Sequence, residues 1–186
     1  PKKILCITFT DKAKKEMFDA IHIMAKEKRK EMVSNLEEAK IMKLNIHTFH
    51  SFANNYLSDM GLISGDPVGA NILRFSIFNS FEKNQALNYP KDYVISTIMP
   101  KTEYAIRYIK SFGITPKKIN INTVIPLIEA NHNPNSSYSI DEMKAFLKYF
   151  VDAYNEYEKS KSDAVDFSDM LLLFLEKFQG TKFEYV

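Results

Sequence analysis

Ile4-Leu5-Cys6-Ile7-Thr8-Phe9-Thr10 and Leu44-Asn45-Ile46-His47-Thr48-Phe49-His50-Ser51 carry one pattern twice. Each begins with a short, largely apolar run that predicts a strand, and each passes through hydroxyl and aromatic residues into an amphipathic helix. After the first passage, Ala13, Met17, Ala20, Ile21 and Met24 recur at helical spacing with lysines and glutamates opposite. After the second, Phe49, Phe52, Ala53, Tyr56, Leu57 and Met60 form a stripe, and Gly61 stands where a C-terminal cap belongs. Two such junctions predict strands of one α/β sheet. At the carboxyl ends of its strands, helix N-termini leave N–H groups unpaired and carry partial positive charge, so phosphate is the ligand chemistry these ends suit.

Beyond Met60 the pattern changes. Gly61 to Gly69, with Gly65-Asp66-Pro67 inside it, reads as a loop, and afterwards helical periodicity dominates. Ile72, Phe75, Phe78 and Phe81 mark one helix; Tyr104, Ala105, Tyr108, Ile109 and Phe112 mark another, stopped by Gly113. Their spacing assigns these aromatics to core rather than to base-stacking platforms. Pro134 breaks the polar loop from Asn131 to Ser137, and Ser139 and Glu142 have capping-box spacing ahead of Met143, Phe146, Leu147, Phe150, Tyr154 and Tyr157. Asp166 is placed as the N-cap of a last helix whose run from Met170 to Leu175 is apolar enough to be buried on several sides. The expected fold class is α/β but predominantly helical, a partial parallel sheet carrying a large all-helical insertion.

Composition bounds the function. With 186 residues, 45% of them hydrophobic and 13% aromatic, the chain can bury a core. A net charge of +2 supplies no globally basic field, so nucleic-acid contact must come from local placement of charge. The run Lys26-Glu27-Lys28-Arg29-Lys30 reads as a solvated helix end because glutamates alternate with its cations. The lone cysteine, Cys6, rules out an intramolecular disulfide and reads as a small buried hydrophobe in a reducing compartment. No apolar run reaches the roughly 18 residues of a membrane span, and the N-terminus lacks a signal-peptide pattern, so we expect no membrane partner and a cytoplasmic location. The opening at Pro1 and the strand-like ending Lys182-Phe183-Glu184-Tyr185-Val186 suggest a piece of a longer protein.

Several chemistries lack their residues. The five glycines are scattered and none precedes a Lys-Ser or Lys-Thr pair, so there is no phosphate-binding loop for nucleotide hydrolysis. Cys6, His47 and His50 do not have zinc spacing, and Ser51, His50 and Asp166 lack a nucleophile elbow, so we assign no metal and no catalytic residue. Binding is better served. Thr8, Thr10, Thr48 and Ser51 carry hydroxyl donors for phosphate, His50 carries a ring N–H, and Phe9 and Phe49 offer faces to a base. The residues alone leave two readings open: a groove for an extended strand, or threonines that cap helices and phenylalanines that fill core.

Family resemblance favours the groove. Ile7-Thr8-Phe9-Thr10-Asp11-Lys12-Ala13-Lys14-Lys15-Glu16-Met17 resembles motif Ia of superfamily 1 helicases of the UvrD/Rep/PcrA type, and Ile46-His47-Thr48-Phe49-His50-Ser51-Phe52 resembles their motif Ib. Val165-Asp166-Phe167-Ser168-Asp169-Met170-Leu171-Leu172 is similar to the Asp-Phe-x-Asp-Leu-Leu segment that ends their helical insertion. The resemblance implies a partial RecA-like core over 1–60 with motifs Ia and Ib, a helical insertion over 61–165, and a return helix with the start of the next core strand over 166–186. It implies DNA binding by Thr8, Phe9, Thr10, Thr48, Phe49 and His50, with Asp166 serving capping and packing. The parent would be an ATP-dependent helicase that uses ATP and Mg2+ to move along single-stranded DNA, usually 3′ to 5′ on a 3′ tail, and to unwind duplex. Its partners would include the remaining helicase domains. The phosphate loop and magnesium carboxylates would lie outside these residues, so neither cofactor is expected here. Alternatives are a RecB/AddA-like helicase-nuclease subunit and a non-catalytic DNA-binding or interaction module. Asp11 departs from the family's usual Asn; a carboxylate beside a phosphate track weakens binding unless the helix N-terminus and nearby lysines offset it, although Asp remains a good N-cap.

Overall fold

A computed structural model describes residues 4–28, 44–84, 87 and 89–180. Its contacts divide the chain into two compact units, Pro1–Gly65 with Leu173–Val186, and Asp66–Leu172. The chain is mixed α/β and mostly helical, as its patterns predict.

In the first unit, β1 (Leu5–Thr8) and β2 (Asn45–Thr48) pair in parallel, with Leu5 opposite Asn45 and Thr8 opposite Thr48. The helices α1 (Asp11–Lys28) and α2 (Phe49–Asp59) follow the strands. Parallel neighbours need a crossover, and α1 lies in the connection between them. Leu5, Ile46, Ala53 and Leu57 are buried, whereas Cys6 is half-buried rather than the buried hydrophobe expected. On α1 the expected stripe is shallower than its spacing suggests: Ala13, Met17 and Ile21 are half-buried, and Ala20 and Met24 are exposed. Gly61 ends α2 at φ +68, where its N–H bonds the Ser58 carbonyl and the Leu62 N–H bonds the Leu57 carbonyl. That left-handed turn is cheap only for glycine. The strand expected over Phe183–Val186 and the end of the Lys26–Lys30 run lie outside the described residues.

The second unit is helical. It contains α3 (Ala70–Lys83), a helical turn Lys91–Tyr93 running through the π-helical segment Val94–Ile98 into α4 (Met99–Ser111), then α5 (Ile121–Asn131) and α6 (Ile140–Lys161). A last helix, α7 (Phe167–Lys177), begins here. The capping box at α6 forms as read: the Glu142 N–H bonds Ser139 Oγ at 3.2 Å and the Ser139 N–H bonds Glu142 Oε2 at 2.8 Å. Leu73, Ile77 and Phe81 of α3 pack with Val94, Ile98, Ile106, Tyr149, Ala153, Tyr154 and Tyr157 as one core. Three deeply placed tyrosines keep partners, because an unpaired buried hydroxyl costs more than the ring gains in contact. Tyr149 donates to the Ile77 carbonyl, Tyr154 to the Ile114 carbonyl and Tyr157 to Asp166 Oδ2.

Helix orientation departs from expectation in three places. On α3 the inward residues are Leu73, Ile77 and Phe81, while Phe75 is 64% exposed. On α4 the inward residues are Thr102, Ile106 and Lys110, so Tyr104, Tyr108 and Phe112, expected in the core, face solvent. On α7 only Met170 and Phe174 are buried and Leu175 is 69% exposed, so the apolar run is not enclosed on several sides. The reason is common to all three. Periodicity identifies a helix, but a helix carrying more large apolar residues than one face can hold leaves the choice of inward face to its neighbours.

Candidate nucleic-acid interface

The parallel register brings the two strand-to-helix junctions side by side in the first unit. Thr8 and Thr48 are register partners. Adjacent strands lie about 4.8 Å apart, so Phe9-Thr10 and Phe49-His50 leave the same edge of the sheet.

Each predicted residue has a distinct setting. Thr8 is 8% exposed, and its hydroxyl donates to the Thr10 carbonyl at 3.2 Å, with the His47 carbonyl at 3.5 Å. It braces the turn. Thr10 is exposed and its Oγ1 accepts the Ala13 N–H at 3.1 Å, so Thr10 caps α1 and Asp11 sits inside the first turn. The expectation that Asp11 serves as N-cap is thereby corrected; its carboxylate instead complements the helix dipole. Thr48 caps α2, accepting the Ser51 N–H at 3.2 Å and donating to Ser51 Oγ at 3.1 Å, while Ser51 Oγ donates to the Thr48 carbonyl at 3.0 Å. Thr48 is also 8% exposed.

The aromatic pair is asymmetric. Phe9 is 96% exposed, which no packing argument explains. Phe49 is 39% exposed and rests its edge on Phe174 at 6.0 Å between centroids, part of a ring cluster with Phe52, Tyr56 and Phe178. Phe9 thus stands out in solvent while Phe49 is anchored by the ring cluster. His50 is exposed. His47, tilted against Phe52 at 6.0 Å, has its pKa lowered by burial and then by the Lys14 charge, so it is held neutral beneath the edge. Lys12 and Lys15 are exposed on the first turns of α1, with Lys12 lying 3.8 Å from Glu16. Cations and two helix N-termini at one sheet edge make an electrostatic setting suited to a polyanion.

Sequence reading missed a second polar constellation, which lies within the other unit. Lys110, 4% exposed, places Nζ 2.5 Å from Glu158 Oε1 and 2.9 Å from both Asp166 Oδ2 and Asp169 Oδ1. Lys161 pairs with Glu158 at 2.9 Å and with Asp169. Asp166 and Asp169 also cap each other: the Asp169 N–H bonds Asp166 Oδ1 and the Asp166 N–H bonds Asp169 Oδ2. Burial presses the Lys110 pKa down, but its bonds to Glu158, Asp169 and Asp166 outweigh that and hold it far above the ordinary lysine value. Burial likewise presses Asp166 up, and the bonds from Tyr157, the Asp169 N–H and Lys110 win, keeping it ionised. The only signal in the sequence was the i, i+4 spacing of Thr102, Ile106 and Lys110.

This constellation bears on the cofactors. Oxygens of Glu158, Asp166 and Asp169 approach within 4.8 Å of one another, as a cation site requires, but two ammonium groups already sit on them. It is a closed salt-bridge network and does not fit Mg2+. Nor do the glycines fit ATP, since none of Gly61, Gly65, Gly69, Gly113 or Gly180 opens a Gly-Lys-Ser or Gly-Lys-Thr loop. Among the described residues, no helix is long and apolar enough to cross a membrane.

Comparison with known proteins decides the family. The UvrD/REP helicase N-terminal domain matches residues 1–184. The chain belongs to this family. It is also 38% identical over 61 residues, 33% of its length, to a probable DNA helicase of Mycoplasma pneumoniae, of which that match covers 10%. The matched stretch is thus about a tenth of the length of the relative. No solved structure matches. The paired junctions accordingly lie within a UvrD/REP helicase N-terminal domain.

Proposed function

We propose that this helicase-family chain supplies part of the single-stranded DNA groove of an ATP-dependent helicase that translocates on one strand and separates duplex. The observation carrying the reading is the Thr8–Thr48 register pair, which sets a 96%-exposed Phe9 beside the capped N-terminus of α2. A phenylalanine so fully in water gains by covering its ring, and stacking on a base does so at roughly 1–3 kcal/mol whatever the sequence.

The six residues divide the work. Phe9 and Phe49 stack, and His50 and Thr10 reach phosphate oxygens. Thr8 and Thr48 hold the two turns through their own hydrogen bonds and contact the strand through the backbone they fix. The Asp166–Leu172 segment belongs to the helical insertion and serves packing, with Asp166 locked in its ion network. ATP and Mg2+ act in the complete helicase; no residue of this chain is assigned to hold either.

The test is fluorescence anisotropy of a labelled oligo-dT with the wild-type chain and the variant Phe9→Ala/His50→Ala. Binding should weaken by about tenfold or more in the variant and fall steeply with added salt. Equal affinity of the two proteins would remove the groove assignment.

A further inference from the structure

We propose that Tyr104 and Tyr108 on the outer face of α4, with Phe112 at its C-cap, form a second stacking platform for single-stranded nucleic acid. The inference takes the class of polymer from the reading above and is independent of the sheet-edge groove. The three side chains are 70%, 55% and 65% exposed, on a helix whose other side buries Thr102, Ile106 and Lys110. Their i, i+4 spacing advances about 6 Å per step, so they line one side of the helix. The rings touch in series: Tyr104 and Tyr108 stack at 6.0 Å and 15°, and Tyr108 and Phe112 meet edge-to-face at 5.2 Å and 72°.

Charge identifies the occupant. Exposed Lys101 stands one turn before Tyr104, and exposed Lys117 and Lys118 follow Phe112. The one carboxylate between residues 99 and 118, Glu103, is held by Arg74 at 2.8 Å and Arg107 at 3.0 Å. The aromatic stripe is thus flanked by cations on a chain whose net charge is only +2. Lys118 donates to the Gly113 carbonyl at 2.8 Å, so an apolar protein surface would cover the rings and leave Lys101 and Lys117 unmatched. Duplex would match the cations but keep its base faces stacked away. A single strand offers flat base faces and phosphates together, which is the combination present here.

The chain contains no tryptophan, so Tyr108→Trp introduces a sole indole reporter. Oligo-dT should quench that indole with the affinity read by anisotropy. The triple variant Tyr104→Ala/Tyr108→Ala/Phe112→Ala should bind about tenfold or more weakly with an unchanged far-UV circular dichroism spectrum. Absence of quenching, or wild-type affinity in the triple variant, overturns the platform. The two sites fail separately. A weakened Phe9→Ala/His50→Ala variant beside an unaffected triple variant leaves only the groove, and the reverse leaves only the platform. No binding by the wild-type chain overturns both.

Discussion

Removing the Lys110 ammonium tests whether the ion network holds the helical unit together. Lys110→Met keeps most of the aliphatic stem and deletes the charge, so packing loss is small and the electrostatic loss dominates. In the wild type two ammonium groups face three carboxylates; in the variant Lys161 alone faces Glu158, Asp166 and Asp169. Breaking a buried pair by removing one partner costs about 3–5 kcal/mol because the remaining charge stays desolvated. Here the side chains of Glu158 and Asp169 are 29% and 27% exposed and only that of Asp166, at 12%, is well enclosed, which places the expected cost near the lower limit. We therefore expect a loss of about 3 kcal/mol in urea denaturation followed by circular dichroism at neutral pH. The pH dependence has a fixed sign. The Asp166 carboxyl is held below its ordinary value of 3.8, so its contribution is present above that pH and is lost as pH falls through the folded-state value. The wild type has this stabilisation to lose on acidification and the variant has less, so the gap between them should narrow from pH 7 towards pH 3. A variant within about 0.5 kcal/mol of wild type at neutral pH, far below the cost of an uncompensated buried charge, would refute the reasoning, as would a gap that widens in acid.

Two further measurements address local devices. Ser139→Ala deletes the side-chain half of the α6 capping box and should cost about 1 kcal/mol in the same denaturation assay, with unchanged stability counting against the cap. For His47, burial and then Lys14 lower the pKa, so its ring should titrate by NMR with a midpoint below 6.5. Because the unfolded chain then takes up the proton first, this group destabilises the fold as pH falls below about 6.5. A midpoint above 6.5 would mean that His47 is not sheltered as described.

Local chemistry was legible in the residues themselves. The two strand-to-helix junctions, the glycine stop at Gly61, the Ser139–Glu142 box and the Asp166 cap all depend on neighbours within a few positions, and all are present. The motif passages likewise sufficed to indicate the helicase family, since each lies in a continuous run. Tertiary structure decided what short-range pattern leaves open. Pairing of Thr8 with Thr48 across 40 positions placed the two junctions at one sheet edge. It also decided which side of α4 turned inward: burying Ile106 brought Lys110 beside Asp166 and Asp169, and that rotation left Tyr104, Tyr108 and Phe112 in water. A helix with apolar residues on more than one face has no inward side of its own; the charges and cavities of the elements packed against it choose one.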